Sequence, residues 1–220
     1  MAAAFIRNKY ADELIVLSEG TRDYFKKTYG RETVFIPNGI DVQNEKKADI
    51  ITKKYGLEKD GYILFLARIV PEKGLHYLID AFMQTDTDKK LVIAGGVSHS
   101  GEYAKQIHDM AKDDRIIFTG FVEGDELWEL YYNCRMYVLP SDVEGMPISL
   151  LEAMACGCEC LVSDIDTAKN VVGEYGYTFK KSDVMYINYS VTPFENTYNY
   201  NHALWILEHS YPTLSVKEAL

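Results

Sequence analysis

The sequence contains no run of 18 apolar residues, so it predicts no membrane-spanning helix. The apolar patch near its start, at residues 2–6, is too short for the apolar region of a secretory signal peptide. Acidic residues outnumber basic ones and give a formal net charge of -10, which disfavours a general role in binding nucleic acids or anionic membranes. Any anion site must therefore be a local cluster of basic groups.

Cysteine is scarce, and its spacing does not match a zinc site. The four cysteines lie at positions 134, 156, 158 and 160, and the last three alternate as Cys-x-Cys-x-Cys. Structural zinc sites usually combine Cys-x2-Cys pairs, and no second pair exists here. We therefore favour buried or half-buried thiols over metal ligands, expect no metal and no cofactor, and expect a reducing cytoplasm.

Short apolar runs alternate with amphipathic stretches along most of the chain. Strands are predicted at 14–17, 33–36, 62–67, 90–94, 116–119, 136–139 and 160–163. Helices are predicted at 19–29, 75–83, 102–111, 125–132, 147–155, 167–172 and 202–209, with one more short helix between 41 and 61. This alternation predicts an α/β fold, a Rossmann-like parallel sheet with helices on both faces. Ligands of such folds bind at the carboxyl ends of the strands, so the loops after Ala67, Ala94, Thr119 and Leu139 are the ones to inspect.

Two basic residues, Arg68 and Lys73, follow the strand at 62–67 and precede a helix. Two cations beside the amides of a helix N-terminus suit a diphosphate. The alternative is a pair of solvated surface charges, and this loop alone does not decide between them.

The loop after Leu139 carries a second set of features. Gly145 allows a close approach of the backbone to a ligand, and Pro147 suits the first position of a helix whose amides can hold a phosphate. Glu152 lies about 7–8 Å further along that helix, roughly the span from a pyrophosphate to the ribose of one nucleotide. Glu144 precedes the helix and would face the sugar beyond the phosphate. Alternatively, Glu144 is a partner of the helix dipole and Glu152 is a solvated helix residue.

Five segments, in this order, resemble the retaining GT-B glycosyltransferases of family four, the group 1 glycosyl transferases. They are IPNGID (36–41), ILFLARIVPEKGLHYLIDAF (63–82), LVIAGG (91–96), IIFTGFV (116–122) and YVLPSDVEGMPISLLEAMACG (137–157). The resemblance runs from about residue 11 to residue 179. The Glu-x7-Glu spacing of Glu144 and Glu152 is similar to the signature of that family.

The resemblance implies specific roles. Arg68 and Lys73 would bind the diphosphate, Glu152 the ribose, and Glu144 the donor sugar, with the backbone of Gly145, Met146, Pro147 and Ile148 against the sugar and phosphate. The catalytic assignments are Glu144, Arg68 and Lys73. The family transfers a sugar with retention of configuration and without a required metal, so we expect a UDP- or GDP-linked sugar as donor substrate.

The resemblance also implies a domain organisation. Residues 1–32 resemble only the end of the N-terminal acceptor-binding domain and the linker after it, residues 33–180 form the nucleotide-sugar-binding domain, and residues 181–220 are a divergent tail. The acceptor, a glycan or lipid-linked sugar, would bind through an N-terminal domain that this sequence largely lacks. The expected location is the cytoplasm, with peripheral association at the inner membrane face as an alternative for a full-length enzyme.

Three functions remain open at this point. The first is the donor-binding half of a glycosyltransferase, and the second is a non-catalytic nucleotide-sugar-binding module or one half of a split enzyme. The third is another GT-B enzyme such as a sugar-nucleotide epimerase, which the Glu-x7-Glu loop disfavours. An NAD-dependent oxidoreductase is excluded, because Gly95-Gly96 lacks the three spaced glycines of the dinucleotide fingerprint.

Overall fold

The computed structural model describes residues 11–191 except residue 42 and residues 98–100. The strands within this part are β1 (Ile15–Val16), β2 (Val34–Phe35), β3 (Tyr62–Leu66), β4 (Lys90–Ala94), β5 (Ile116–Gly120), β6 (Met136–Leu139), β7 (Cys160–Ser163) and β8 (Tyr177–Phe179). The α-helices are α1 (Glu19–Tyr29), α2 (Ile50–Tyr55), α3 (Leu75–Met83), α4 (Gly101–Met110), α5 (Gly124–Asn133), α6 (Ile148–Ala155), α7 (Asp166–Val172) and α8 (Val184–Val191). A 3-10 helix, Pro71–Lys73, precedes α3.

The fold is a parallel sheet covered on both faces, which confirms the predicted Rossmann-like α/β class. Strands β3 to β8 form one sheet in the order β5-β4-β3-β6-β7-β8, with every neighbouring pair parallel. Tyr62 and Leu64 of β3 pack with residues of α2, α5, α6 and α7, whereas Ile63 and Phe65 pack with residues of α3, α4 and α8. Alternate residues of one strand thus enter two separate cores, as expected for a strand that is buried on both faces.

The strand order reverses direction between β3 and β6, which are neighbours in the sheet. The loop after β3 leads to α3 on one face, and the loop after β6 leads to α6 on the other face. Where two such loops diverge, a crevice opens at the carboxyl edge of the sheet, and ligands of open α/β sheets bind there. The loops that carry Arg68 and Glu144 are the two that flank this crevice.

Helix α1 lies between β1 and β2, which form a separate two-stranded sheet, and both ends of the helix are set by local contacts. Ser18 caps α1 by accepting a hydrogen bond from the Thr21 amide at 3.2 Å, and Gly30 ends the helix with a φ of 63°. Strand β2, which the sequence analysis placed in the domain at 33–180, pairs in parallel with β1. Among the described residues it has no partner in the larger sheet.

Several segments differ from the sequence-based expectations, among them strand β8, which was not predicted. Helix α6 begins at Ile148 rather than at Pro147, because Pro147 has a ψ of 112° and is therefore extended. Helix α8 was not predicted, and its Ile187 and Val191 are buried against the same core as α3. The packed unit therefore extends past residue 180, where the sequence analysis ended the domain. The helix predicted at 202–209 and the first ten residues lie outside the described residues.

Candidate functional site

The two loops at the crevice are held together by backbone contacts. The Asp142 amide donates to the Glu72 carbonyl at 2.9 Å. Gly74 has a φ of 66°, and a Cβ at this position would lie 1.9 Å from the Pro140 carbonyl oxygen. Only glycine allows this approach, because any side chain would overlap the neighbouring backbone. The loop with Arg68 and Lys73 is thereby fixed against the loop with Glu144.

Lys73 and Glu144 form an ion pair between the two loops. The Lys73 Nζ lies 2.6 Å from Glu144 Oε1, and the side chains are only 15% and 5% exposed. The buried Ser141 hydroxyl donates to the same carboxylate oxygen at 2.6 Å. Glu144 is therefore neither a solvated dipole partner nor free, but is held by the Lys73 and Ser141 donors.

Arg68 differs from Lys73, although both residues were expected to act as a cationic pair. The Arg68 residue is exposed, and among the described residues its guanidinium has no ion-pair partner. The neighbouring backbone is fixed, because the Ile69 amide donates to the Gly96 carbonyl at 3.1 Å. The Arg68 guanidinium is thus free on an anchored loop, whereas the Lys73 ammonium is already paired with Glu144.

The turn into α6 brings Gly145, Met146, Pro147 and Ile148 to the crevice. The first amides of a helix, here those of Ile148 and the residue after it, have no acceptor within the helix. The Asn38 side-chain amide donates to the Met146 carbonyl at 3.0 Å. The sequence analysis assigned Asn38 no role at the site. Nothing in the local pattern of residues 36–41 indicates that Asn38 holds a loop that is 108 positions away in sequence.

Glu152 lies on α6 and has a different environment from Glu144. The Tyr131 hydroxyl donates to Glu152 Oε2 at 2.9 Å. Burial raises the pKa of Glu152 above its usual value, and the Tyr131 hydroxyl partly offsets this increase. The sequence analysis did not single out Tyr131, because α5 and α6 come together only through the packing of one face of the sheet. An acceptor-only carboxylate that one donor holds in place keeps lone pairs free for a ligand's hydroxyl groups.

The described part of the chain holds no cluster of three or more His, Cys, Asp or Glu side chains arranged for a metal ion. None of its helices is long and apolar enough to cross a membrane.

A model of the family described as glycosyl transferases, group 1, matches residues 47–204, which is more than half of the chain. The chain belongs to this family. The matched region includes both loops of the crevice, with Arg68, Lys73, Glu144 and Glu152 among its residues.

Curated relatives of this chain are named glycosyltransferases. The chain is 29% identical over 139 residues to O-antigen chain mannosyltransferase B of Escherichia coli. This match covers 61% of the chain and 36% of that protein. The chain is 27% identical over 169 residues to the N,N'-diacetylbacillosaminyl-diphospho-undecaprenol alpha-1,3-N-acetylgalactosaminyltransferase of Campylobacter jejuni, covering 72% of this chain and 44% of that protein. The chain thus spans less than half the length of each.

Solved structures share the fold. Anabaena HepE, in complex with UDP and glucose, has a TM-score of 0.75 and 24% identity, and the match covers 90% of this chain and 57% of that chain. Sucrose-phosphate synthase from Thermosynechococcus elongatus has a TM-score of 0.69 and 22% identity, covering 92% and 50%. At 24% and 22% identity, the similarity shows only that these two proteins and this chain share a fold.

Proposed function

We propose that this chain binds the nucleotide-sugar donor of a retaining GT-B glycosyltransferase of family four, of which it forms the C-terminal half. The observation that carries the proposal is the cluster of Arg68, Lys73 and Glu144 at the crevice where the strand order reverses. Family membership and the named glycosyltransferases among the relatives support it. The donor is a UDP- or GDP-linked sugar, and no metal is required.

The cluster suits the chemistry of the reaction. When the bond between sugar and nucleotide breaks, the departing diphosphate gains negative charge. Cations that face this charge stabilise the transition state more than the ground state. The Lys73 ammonium has three N–H donors, so it can contact phosphate oxygens while it remains paired with Glu144. Arg68 supplies a second, unpaired cation beside it.

Glu144 and Glu152 contact different parts of the nucleotide-sugar. Glu144 lies beside Lys73 and faces the donor sugar, whereas Glu152 lies further along α6 and accepts from the ribose hydroxyls. The turn from Gly145 to Ile148 contacts the sugar and phosphate between them. The acceptor is a glycan or a lipid-linked sugar, held by a second Rossmann-like domain. The reaction takes place in the cytoplasm or at the inner face of the membrane.

Calorimetric titration with UDP and with GDP in EDTA tests the proposal. We expect one of the two nucleotides to bind in the absence of metal. Arg68→Gln should weaken binding, whereas Arg135→Gln, at the opposite edge of the sheet just before β6, should leave it unchanged. A folded sample that binds neither nucleotide would contradict the site assignment, as would equal losses in the two variants. Binding without transfer, in the presence of any partner domain, would favour a non-catalytic binding module.

A further inference from the structure

The cysteines lie at the edge of the sheet opposite to the Lys73–Glu144 pair, where β6 and β7 begin. A surface cavity of about 320 Å³ opens there between the end of α5 and the turn before β7. Its lining includes three cysteines and charged residues of both signs: Cys134, Cys156, Cys158, Lys59, Arg135, Glu45, Asp60 and Glu159. All four cysteines are free thiols.

Two of these thiols are in direct contact. The Cys134 Sγ lies 3.7 Å from the Cys158 Sγ, although the residues are 24 positions apart in sequence. Both sulfurs also lie within hydrogen-bonding distance of the Tyr131 carbonyl oxygen, at 3.3 Å from Cys134 and 3.0 Å from Cys158. That carbonyl belongs to the last turn of α5, so no amide of the helix donates to it. It can therefore accept from both thiols, which lie side by side. Formation of a disulfide would bring the two sulfurs from 3.7 Å to a separation of about 2 Å.

The two thiols differ in access. Cys134 is buried, and its hydrogen bond to Cys158 together with burial raises the pKa of its thiol well above the usual value. Cys158 is half-buried and lines the cavity that Lys59 and Arg135 share. Access to solvent allows a cysteine to react, whereas burial makes a thiol inert. We therefore expect an oxidant in solution to react first with Cys158, and the buried Cys134 to react with the oxidised Cys158.

We propose that Cys134 and Cys158 form a reversible disulfide when the protein meets a peroxide. The Cys158 thiolate attacks one peroxide oxygen, the O–O bond breaks, and Cys158 becomes a sulfenic acid while the other oxygen leaves as water after protonation. Cys134 then attacks the Cys158 sulfur, the S–O bond breaks, a second water leaves, and the disulfide forms. A dithiol reductant reverses the reaction by thiol–disulfide exchange. In a reducing compartment such a bond is transient.

Peptide mapping of the whole chain after treatment with hydrogen peroxide tests this proposal. Trypsin cleaves after Arg115, Arg135 and Lys169, so Cys134 lies in the peptide 116–135 and the other three cysteines lie in the peptide 136–169. We expect a cross-link between these two peptides under non-reducing conditions, fragment ions that assign it to Cys158, and its loss after dithiothreitol. The number of free thiols should fall from four to two.

Single substitutions provide the matched controls. Cys156→Ser, which changes another half-buried thiol of the same cavity, should keep the cross-link, and Cys158→Ser should abolish it. Cys158→Ser also keeps the test decisive if Cys134→Ser, at a buried position, fails to fold. A cross-link assigned to Cys156 or Cys160, a bond within the peptide 136–169 alone, or no cross-link at all would overturn the proposal.

Discussion

Glu144 and Glu152 are the two acidic residues of the same motif, but their surroundings differ. Glu144 is paired with Lys73 and accepts from Ser141, so its charge is balanced within the protein. Glu152 accepts from a neutral Tyr131 hydroxyl and has a raised pKa, so its negative charge is less well compensated. At the scale of single residues, this contrast leads to two predictions.

Glu152→Ala should weaken the binding of the nucleoside diphosphate by about 1–3 kcal/mol, because the ribose loses its acceptor. Glu144→Ala should change the binding of the bare diphosphate much less, since it releases Lys73 towards the phosphates. With the intact nucleotide-sugar, Glu144→Ala should cause a larger loss than it does with the diphosphate. Calorimetry with both ligands measures the difference, and equal losses with the bare diphosphate would contradict these roles.

The raised pKa of Glu152 predicts a stability effect with a definite sign. A carboxyl group whose folded-state pKa is raised contributes stability below its unfolded pKa, and this contribution is lost as the pH rises through the folded pKa. The Glu152→Gln variant does not have this loss. The difference in free energy of unfolding, variant minus wild type, should therefore increase as the pH rises from about 4 to about 7. Urea unfolding at both pH values measures this change. Glu174→Gln, at an exposed position, is the control, and an equal difference at the two pH values would count against the prediction.

At the scale of elements, the site depends on two loops that meet. Gly74 ends the 3-10 helix and lies against Pro140, while Asp142 is bonded to Glu72. The loop after β3 and the loop after β6 are therefore fixed to each other before any ligand binds. A change in this contact should affect stability and nucleotide binding together.

Gly74→Ala tests the contact between the loops. The added Cβ would overlap the Pro140 carbonyl oxygen, and the positive φ would cost alanine about 1–3 kcal/mol in strain. We expect a lower free energy of unfolding and weaker nucleotide binding. Gly101→Ala is the matched control, because a Cβ there meets no atom within 4 Å and alanine favours the helix. Denaturant unfolding that shows equal stability for the two variants would refute this role of Gly74.

Helix α8 provides a second test at this scale. Ile187 is fully buried against the core that includes α3, so Ile187→Ala should cost about 2–5 kcal/mol of the free energy of unfolding. Met185, two positions earlier, is 67% exposed, and Met185→Ala should stay within about 0.5 kcal/mol of the wild type. Chemical denaturation of both variants decides the matter. Similar small effects would mean that residues 184–191 do not belong to the packed unit.

At the scale of the whole molecule, the larger parallel sheet has the candidate ligand crevice at one edge and a cysteine-lined cavity at the opposite edge. The crevice has the groups expected for binding a nucleotide-sugar, namely two cations, two carboxylates and a helix N-terminus. Sugar transfer also needs an acceptor positioned against the donor. Such positioning is worth on the order of 7–11 kcal/mol of the reaction barrier.

We therefore expect this chain, assayed alone, to transfer little or no sugar. Slow hydrolysis of the donor is compatible with the open crevice, because water reaches the sugar. The assay combines the purified chain, radiolabelled nucleotide-sugars and a broad panel of acceptors. Formation of glycoside over many turnovers at ordinary enzyme rates would refute the expectation. Activity that appears only after addition of a separate acceptor-binding domain would support it.

The class of fold and most of its elements follow from the sequence alone, because they depend on interactions between near neighbours. The apolar runs at residues 62–66 and 90–94, the Ser18 cap and the terminal Gly30 act within a few residues. The motif segments also identified Arg68, Lys73, Glu144 and Glu152 as candidates, and their roles stay predictions.

The pairing of these residues depends on how the chain packs in three dimensions. Lys73 and Glu144 are 71 positions apart, and Tyr131 and Glu152 are 21 apart, so no local pattern specifies either contact. Helix α8 has a weak periodicity of its own and is stabilised by the core that it covers, which explains why its sequence did not predict it. The distribution of charge within the crevice, with Lys73 neutralised and Arg68 free, arises from packing of the two loops, because distance in space and not in sequence governs electrostatic interactions.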